Sequence, residues 1–252
     1  MRRNPIMIIV LSGEGPSDLG TCVNGQGECG IPDFRYGPMM LLVDKELEKN
    51  LFYSPLEVHG ESYVFISKTK LTELMREKSA RKVAFRGKKQ PNAERGFFFD
   101  NAWMLGEETL RHSTEQNDTA IAVLFRDCDG NNQSGLPLWR AKIESVKQGF
   151  MRSGLGERGI AMIPRPKSEA WMLCAIQNDY QHCARLEDTL SGNDDAPNSA
   201  KMQLDEAMEN SSGSQEQVNW IRENDFDVAA LAHEMESYRE FSLCLKQALD
   251  SL

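Results

Sequence analysis

Residues 119–130 read Thr-Ala-Ile-Ala-Val-Leu-Phe-Arg-Asp-Cys-Asp-Gly, an uncharged run that ends abruptly in an arginine and two aspartates. A continuous apolar run of this length is typical of a strand buried on both faces, as in parallel sheets. Residues 6–18 repeat the pattern, because the apolar run from Ile6 to Leu11 is followed by Ser-Gly-Glu-Gly-Pro-Ser-Asp. Both stretches therefore predict buried parallel strands with acidic residues beyond their carboxyl ends.

Shorter apolar runs at residues 63–67 and 159–163 predict two further strands. Helical periodicity appears at residues 38–51, 101–116 and 138–151. We expect Ser168 to cap another helix, which runs to about residue 178. Alternating strands and helices predict an α/β fold, with a mostly parallel, Rossmann-like sheet flanked by helices and joined by right-handed crossovers.

The chain is expected to divide into a core at residues 1–180 and a helical C-terminal extension at residues 181–252. Within the core, residues 20–37 are rich in Gly and Pro and predict a loop. Residues 191–199 predict a polar loop in which Asp194 and Asp195 are solvated, followed by two or three helices. A basic insertion at about residues 68–100 is expected to be partly helical and partly loop.

Positive charge is unevenly distributed along the chain. The net charge of −9 would repel nucleic acid if it were spread evenly over the surface. However, ten of the 29 lysines and arginines fall within residues 68–95, which permits a local phosphate-binding face. We expect Arg86, Lys88 and Lys89 to bind nucleic acid, with a solvated loop as the competing interpretation for the two lysines.

The apolar runs and the cysteines favour a cytoplasmic protein. No apolar run is long enough to span a bilayer, and the six residues from Ile6 to Leu11 are fewer than the roughly 7–15 of a signal-peptide core. The six cysteines lack paired zinc-binding spacing and are expected to be reduced and mostly buried. Cys22 and Cys29 share the Gly-rich loop and form the pair that could be bonded.

Acidic residues follow three of the predicted strands, and we expect their side chains to meet. They are Glu14, Asp18, Asp127, Asp129 and Glu169. Ligands of parallel sheets gather beyond the carboxyl ends of the strands, where several carboxylates would repel one another unless a cation neutralised them. Oxygen ligands without His or Cys favour Mg²⁺ or Mn²⁺. The sequence therefore predicts a divalent-metal site.

The spacings agree with this prediction but leave alternatives open. Asp127 and Asp129 are two apart in an extended segment, so both side chains leave on one side. Glu14 and Asp18 are one turn apart if a helix begins near Pro16. Alternatively, Asp18 caps a helix, Asp127 to Gly130 form a turn, and Lys167 is a solvated residue at a helix start.

An early Glu and a later Asp-x-Asp, each after an apolar strand, resemble the TOPRIM fold of topoisomerases, primases and small nucleases. The Glu14-x-x-x-Asp18 spacing resembles the overcoming-lysogenization-defect (OLD) nucleases. Residues 166–171, Pro-Lys-Ser-Glu-Ala-Trp, resemble the stand-alone RloB-like TOPRIM proteins of bacterial defence islands. The resemblance covers roughly residues 6–178, but the region from residue 20 to 117 does not align with it.

The resemblance implies a nuclease that cleaves phosphodiester bonds with two Mg²⁺ or Mn²⁺ ions. Glu14, Asp127 and Asp129 would hold the ions, and Asp18 and Glu169 would complete the ligand set. Lys167 would stabilise the phosphate in the transition state, with Lys88 or Lys89 as the second candidates. The resemblance also implies an effector of anti-phage defence that a partner ATPase controls.

Two other functions compete with the nuclease. Asp127-x-Asp129-Gly130 after a strand also resembles the first motif of haloacid-dehalogenase (HAD) phosphatases, in which Asp127 would be the nucleophile and Asp129 the acid/base. That family usually has Thr or Val where Asn131 stands, and it leaves Glu14 unexplained. The other alternative is a non-catalytic TOPRIM-like binding or sensor subunit, for which the acidic C-terminal helices would offer a docking surface.

Overall fold

A computed structural model describes residues 7–81, 93–129, 135–177 and 179–252. Its strands are β1 (Ile8–Ser12), β2 (Gly20–Cys22), β3 (Glu28–Gly30), β4 (Phe34–Tyr36), β5 (Tyr63–Ile66), β6 (Ala120–Phe125) and β7 (Gly159–Met162). Its helices are α1 (Pro38–Leu51), α2 (Pro55–Val58), α3 (Lys68–Arg81), α4 (Ala93–Gln116), α5 (Gly135–Ser153), α6 (Ser168–Ile176), α7 (Cys183–Thr189), α8 (Ala200–Ala207), α9 (Ser214–Glu223), α10 (Val228–Glu234) and α11 (Glu236–Asp250). Single 3₁₀ turns lie at Gly60–Ser62 and Gly156–Arg158.

Five strands form the main sheet in the order β3-β5-β1-β6-β7. Strands β5, β1, β6 and β7 are parallel, and β3 pairs with β5 in the antiparallel direction at one edge. The four parallel strands are the four predicted from apolar runs, and β1 and β6 are buried at every position. The predicted α/β fold with a mostly parallel sheet flanked by helices is confirmed.

Alternate residues of the strands feed two cores on opposite faces of the sheet. On one face, Ile8 and Val10 pack with residues of α4 and α5. On the other, Ile9 and Leu11 pack with α1, α6 and the C-terminal helices. Trp171 of α6 joins these elements, because its ring lies 4.9 Å from that of Tyr238 and 5.9 Å from that of Phe241, both in α11. The C-terminal helices thus share a core with the sheet.

The C-terminal part contains more helices than predicted. Beyond residue 199 the structure has four, α8 to α11, where two or three were expected, and α7 precedes the polar loop. Side-chain caps interrupt the polar stretch, since Ser199 accepts a hydrogen bond from the backbone of Met202 and Asp227 accepts one from Ala229. These caps start new helices where hydrophobic periodicity alone gives no signal.

The predicted loop at residues 20–37 contains three short strands. Strands β2 and β4 pair with each other, and β3 joins the main sheet. Phe34 anchors the segment, because its ring stacks on Phe65 of β5 at 4.9 Å. Gly20 has a φ of +126°, and a Cβ there would lie 2.5 Å from the carbonyl oxygen of Arg35, so the β2–β4 pairing requires glycine.

The expectation of reduced cysteines is wrong for four of the six. Cys22 is bonded to Cys29, the pairing that the sequence left open, and Cys174 is bonded to Cys183. The second bond links α6 to α7. Its spacing matches no motif, because the two cysteines meet only after the chain turns back between the helices. Cys128 and Cys244 are free and buried, as expected.

Crossing a membrane would take a helix longer and more apolar than any within the described ranges.

Candidate functional site

The segments that follow β6 and β7 continue side by side beyond the sheet. Backbone N–H groups of Arg126, Cys128 and Asp129 donate to the carbonyl oxygens of residues 162, 164 and 166, over 3.1, 3.1 and 3.2 Å. The extended path ends at Asp129, whose φ of +44° is left-handed, a conformation that Asp tolerates. This extension places Asp127 and Asp129 beside the start of α6.

Asp127 caps α6 from outside the helix. Its Oδ1 accepts the backbone N–H of Ser168 over 3.0 Å. The N-cap position belongs to Lys167, whose side chain makes no capping bond, so the prediction that Ser168 caps this helix is wrong. The positive end of the helix dipole favours a carboxylate here, and the first turn carries a second one, Glu169.

Four carboxylates beyond the carboxyl ends of β1, β6 and β7 have raised pKa values. Burial raises the pKa of Asp127 well above its ordinary value, and the charges of Glu169, Asp18 and Asp129 add to the effect. Burial, followed by Glu169, raises the pKa of Asp18 to about 6. Burial also raises the pKa of Glu169 and that of Asp129. These side chains therefore lie within electrostatic reach of one another, as their strand positions predict.

Glu14 belongs to the same edge but has a different environment. Burial acts to raise its pKa, but a hydrogen bond from Lys68 and the charges of Arg126 and Lys142 outweigh burial and leave the pKa lowered. Lys68 Nζ lies 2.8 Å and Arg126 Nη1 lies 3.3 Å from Glu14 Oε1. The Glu14 charge in turn helps to raise the pKa of Asp18 and of Asp129. Glu14 thus links the carboxylates to a group of cations.

The segment from Glu14 to Asp18 is a turn, so the helix near Pro16 on which the spacing argument depended does not form. The first helix begins at Pro38, and Asp18 meets its start through the backbone: the Asp18 carbonyl oxygen accepts the N–H of Met39 over 3.0 Å. The N-cap of this helix, Gly37, is not joined by a capping side chain. The Asp18 carboxylate therefore does not cap α1.

Lys167 and Asp194 form the outer part of the site. Lys167 Nζ donates to Asp194 Oδ1 over 2.8 Å and lies 4.0 Å from Asp129 Oδ1. Lys201 approaches the other oxygen of Asp194 at 3.9 Å. The hydrogen bond from Lys167 lowers the pKa of Asp194. The expectation that Asp194 is merely solvated is wrong, because its hydrogen bond with Lys167 joins the polar loop to the site.

Sequence reasoning missed the three cations that act on Glu14, which are Lys68, Arg126 and Lys142. Lys68 is the second residue after β5 and Arg126 the first after β6, so the strand-end rule that identified the carboxylates also applies to them. Lys142 comes from α5, where it is buried and donates to the carbonyl oxygen of Cys128 over 2.5 Å. Its position in a helix face gives no such signal.

The donor chemistry of the site fits a hard divalent cation, whereas its present geometry does not enclose one. Carboxylates that raise one another's pKa gain from a cation placed among them. As they stand, however, no three His, Cys, Asp or Glu side chains within the described ranges are grouped closely enough to hold a metal ion. An ion at this site would require these side chains to move closer together.

The predicted nucleic-acid contacts Arg86, Lys88 and Lys89 lie within residues 82–92, outside the described residues. The remainder of the basic insertion forms α3 and the first turns of α4.

No family model, curated protein or solved structure matches this chain. The TOPRIM resemblance accordingly rests on the motifs alone. Since a fold does not determine a function, the function is argued from the site.

Proposed function

We propose that this protein is a divalent-metal-dependent nuclease with a TOPRIM-like core. One observation carries the proposal: Asp18, Asp127, Asp129 and Glu169 follow three adjacent parallel strands and perturb one another electrostatically. Such a concentration of carboxylates, without His or Cys, is the donor chemistry of Mg²⁺ and Mn²⁺. Cations from α3, α5 and the end of β6 supply the complementary charge for a phosphate.

Asp18, Asp127, Asp129 and Glu169 would hold the metal together with Glu14. Bound there, two ions would activate water and stabilise the leaving oxygen of a phosphodiester. The chain itself contributes orientation, because the backbone of Ser168 fixes Asp127 and Lys167 stands within 4.0 Å of Asp129. Lys167 keeps its proposed role beside the phosphate, provided that it leaves Asp194.

The surroundings of Asp127 favour this function over a HAD-like phosphatase. A phosphatase would need Asp127 as a nucleophile and Asp129 as its acid/base, and it leaves Asp18 and Glu169 without a role. Yet Glu169 and Asp18 are the two charges that raise the pKa of Asp127 most. A site built to concentrate carboxylates around Asp127 is better suited to share a cation than to attack a phosphate.

The wider biological role rests on the sequence resemblance alone. A function in anti-phage defence, a partner ATPase and a cytoplasmic location are all part of the proposal, and no contact among the described residues bears on the first two. The two disulfide bonds argue against the cytoplasmic location, because such bonds are rare in the reducing cytosol of mesophiles.

The test is cleavage of plasmid DNA, single-stranded DNA and RNA by the purified protein with Mn²⁺, Mg²⁺ or EDTA. Asp127→Asn and Glu169→Gln remove one charge each and keep the size of the side chain. Each is expected to reduce cleavage by a factor of about 100 or more, since metal ligands contribute several kcal/mol to such reactions.

Asp250→Asn is the matched control. Asp250 ends α11, close to Gln247, whose side chain donates a hydrogen bond to Glu157 just before β7 begins. Asp250 therefore lies near the amino-terminal ends of the strands, away from the site. Cleavage that survives both site variants would refute the nuclease proposal. Trapping of a fluoride-stabilised phosphoenzyme that Asp127→Asn abolishes would establish the phosphatase instead. Absence of cleavage in every condition would favour the non-catalytic subunit.

A further inference from the structure

Two cations converge on a single oxygen of Glu14. Lys68 Nζ and Arg126 Nη1 both approach Oε1, at 2.8 and 3.3 Å. The residues come from different elements, since Lys68 begins α3 and Arg126 follows β6. The register of β1 and β6 pairs Ser12 with Leu124, and two residues beyond this pair on each strand are Glu14 and Arg126. The contact between Glu14 and Arg126 is therefore set by the sheet itself.

Arg126 is incompletely paired in this arrangement. Its side chain is only 4% exposed. Its Nη2 is buried and finds no hydrogen-bond acceptor among the described residues. A buried guanidinium with an unsatisfied N–H group is costly, and a bound anion is one way to complete its pairing. Glu14, which offers one oxygen to two cations, does not supply the second acceptor.

We infer that Lys68 and Arg126 form a phosphate-binding subsite, and that the Glu14 carboxylate occupies the place of the phosphate. The identity of the ligand as a backbone phosphate of nucleic acid rests on the proposed nuclease function. A phosphate offers several oxygens, so it can bind Nη1 and Nη2 of Arg126 together and also reach Lys68.

This arrangement gives Glu14 two alternative partners. In the structure its charge is balanced by Lys68 and Arg126. If Glu14 turns to a metal among Asp18, Asp127, Asp129 and Glu169, both cations are released for the phosphate. Metal and substrate would then bind cooperatively, because the metal removes the anion that competes with the phosphate.

The test measures binding of inorganic phosphate to metal-free protein in EDTA by calorimetry. Glu14→Gln removes the competing charge and is expected to tighten phosphate binding roughly tenfold, equivalent to about 1.4 kcal/mol. Adding Lys68→Met to Glu14→Gln should cancel the gain. Adding Arg126→Lys, which keeps the charge but loses the fork, should weaken binding as well. Lys246→Met, which breaks an exposed pair with Asp250, is the matched control.

Two results would overturn the inference: Glu14→Gln binding phosphate no more tightly than the wild type, or Lys68→Met leaving the gain intact. Lys68 is 41% exposed, so its variant should fold even if Arg126→Lys does not. A short single-stranded oligonucleotide that displaces the phosphate would identify nucleic acid as the ligand source, whereas failure to displace it would contradict that source. Because no metal is present, this experiment can succeed when the nuclease assay fails, and the reverse.

Discussion

The backbone N–H of Ser168 donates to Asp127 Oδ1 over 3.0 Å, so a side chain that follows β6 caps the helix that follows β7. Asp127 therefore has a structural role in addition to its proposed role as a metal ligand. The two roles require different properties, because capping needs an oxygen acceptor and metal binding needs a negative charge. Substitutions of Asp127 can separate them.

Asp127→Asn keeps the acceptor and removes the charge, whereas Asp127→Ala removes both. The alanine variant is expected to be less stable than the asparagine variant by about 1 kcal/mol, the usual cost of a lost cap. Mn²⁺ is expected to raise the melting temperature of the wild type but not that of either variant. Calorimetry with Mn²⁺ and with EDTA measures both effects. Equal stability of the two variants would show that the capping bond contributes nothing.

The sequence was sufficient to predict the four parallel strands of the sheet and the acidic residues beyond their carboxyl ends. Strands β1 and β6 are buried on both faces, and a short continuous apolar run is typical of a strand in that position. The parallel direction then brings their carboxyl ends to one edge. The order of strands and acidic residues along the chain is therefore enough to predict that Asp18, Asp127 and Glu169 lie within electrostatic reach of one another.

The contacts that the sequence could not predict depend on orientation or on distant chain segments. Glu14 and Lys68 are 54 positions apart, and their contact depends on how α3 leaves β5. The Cys174–Cys183 bond and the return of Asp194 to Lys167 depend on turns that carry no periodic signal. Periodicity reports which face of an element is buried, but it does not report which polar partners a loop brings to that face.

Arg165 allows an ion pair with a buried partner to be compared with one with an exposed partner, because it pairs with two adjacent acidic residues. Its Nη2 lies 3.0 Å from Glu187, which is 2% exposed, and its Nη1 lies 3.0 Å from Asp188, which is 70% exposed. Glu187 also accepts the backbone N–H of Ser237 over 2.7 Å and so caps α11. Glu187→Ala should cost about 3–5 kcal/mol, since it leaves Arg165 buried without its main partner.

The matched control is Asp188→Ala, which removes the exposed partner of the same arginine. It should cost less than about 1 kcal/mol. Urea denaturation of both variants gives the comparison. Similar losses for the two would show that burial does not govern this pairing.

Glu28 should make the attachment of β3 to α4 sensitive to acid. A hydrogen bond with His112, then bonds from Arg111, lower the pKa of Glu28 from 4.5 to about 2. Because the pKa is lowered in the folded state, the stabilisation is complete above about pH 4.5 and is lost as the pH falls through 2. Glu28→Gln should therefore cost about 1–2 kcal/mol at neutral pH, a value reduced for its partial exposure, and almost nothing near pH 2.

The control for this pH profile is Glu115→Gln. Glu115 pairs with the same Arg111 at 2.9 Å but is 56% exposed, so its loss should be small at every pH. Urea denaturation between pH 2 and 7 measures both profiles. A cost of Glu28→Gln that is independent of pH would rule out the carboxylate as its source.

The cysteines predict a specific labelling pattern. In denaturant without reductant, iodoacetamide should modify only Cys128 and Cys244, because the other four are bonded in pairs. After reduction it should modify all six, and peptide mass spectrometry identifies each site. Replacing Cys174 and Cys183 together by alanine opens a loop of nine positions and should cost roughly 2–3 kcal/mol. Reductant should then lower the melting temperature of the wild type more than that of this variant. Labelling of all six cysteines before reduction would instead restore the expectation of free thiols and support a cytoplasmic location.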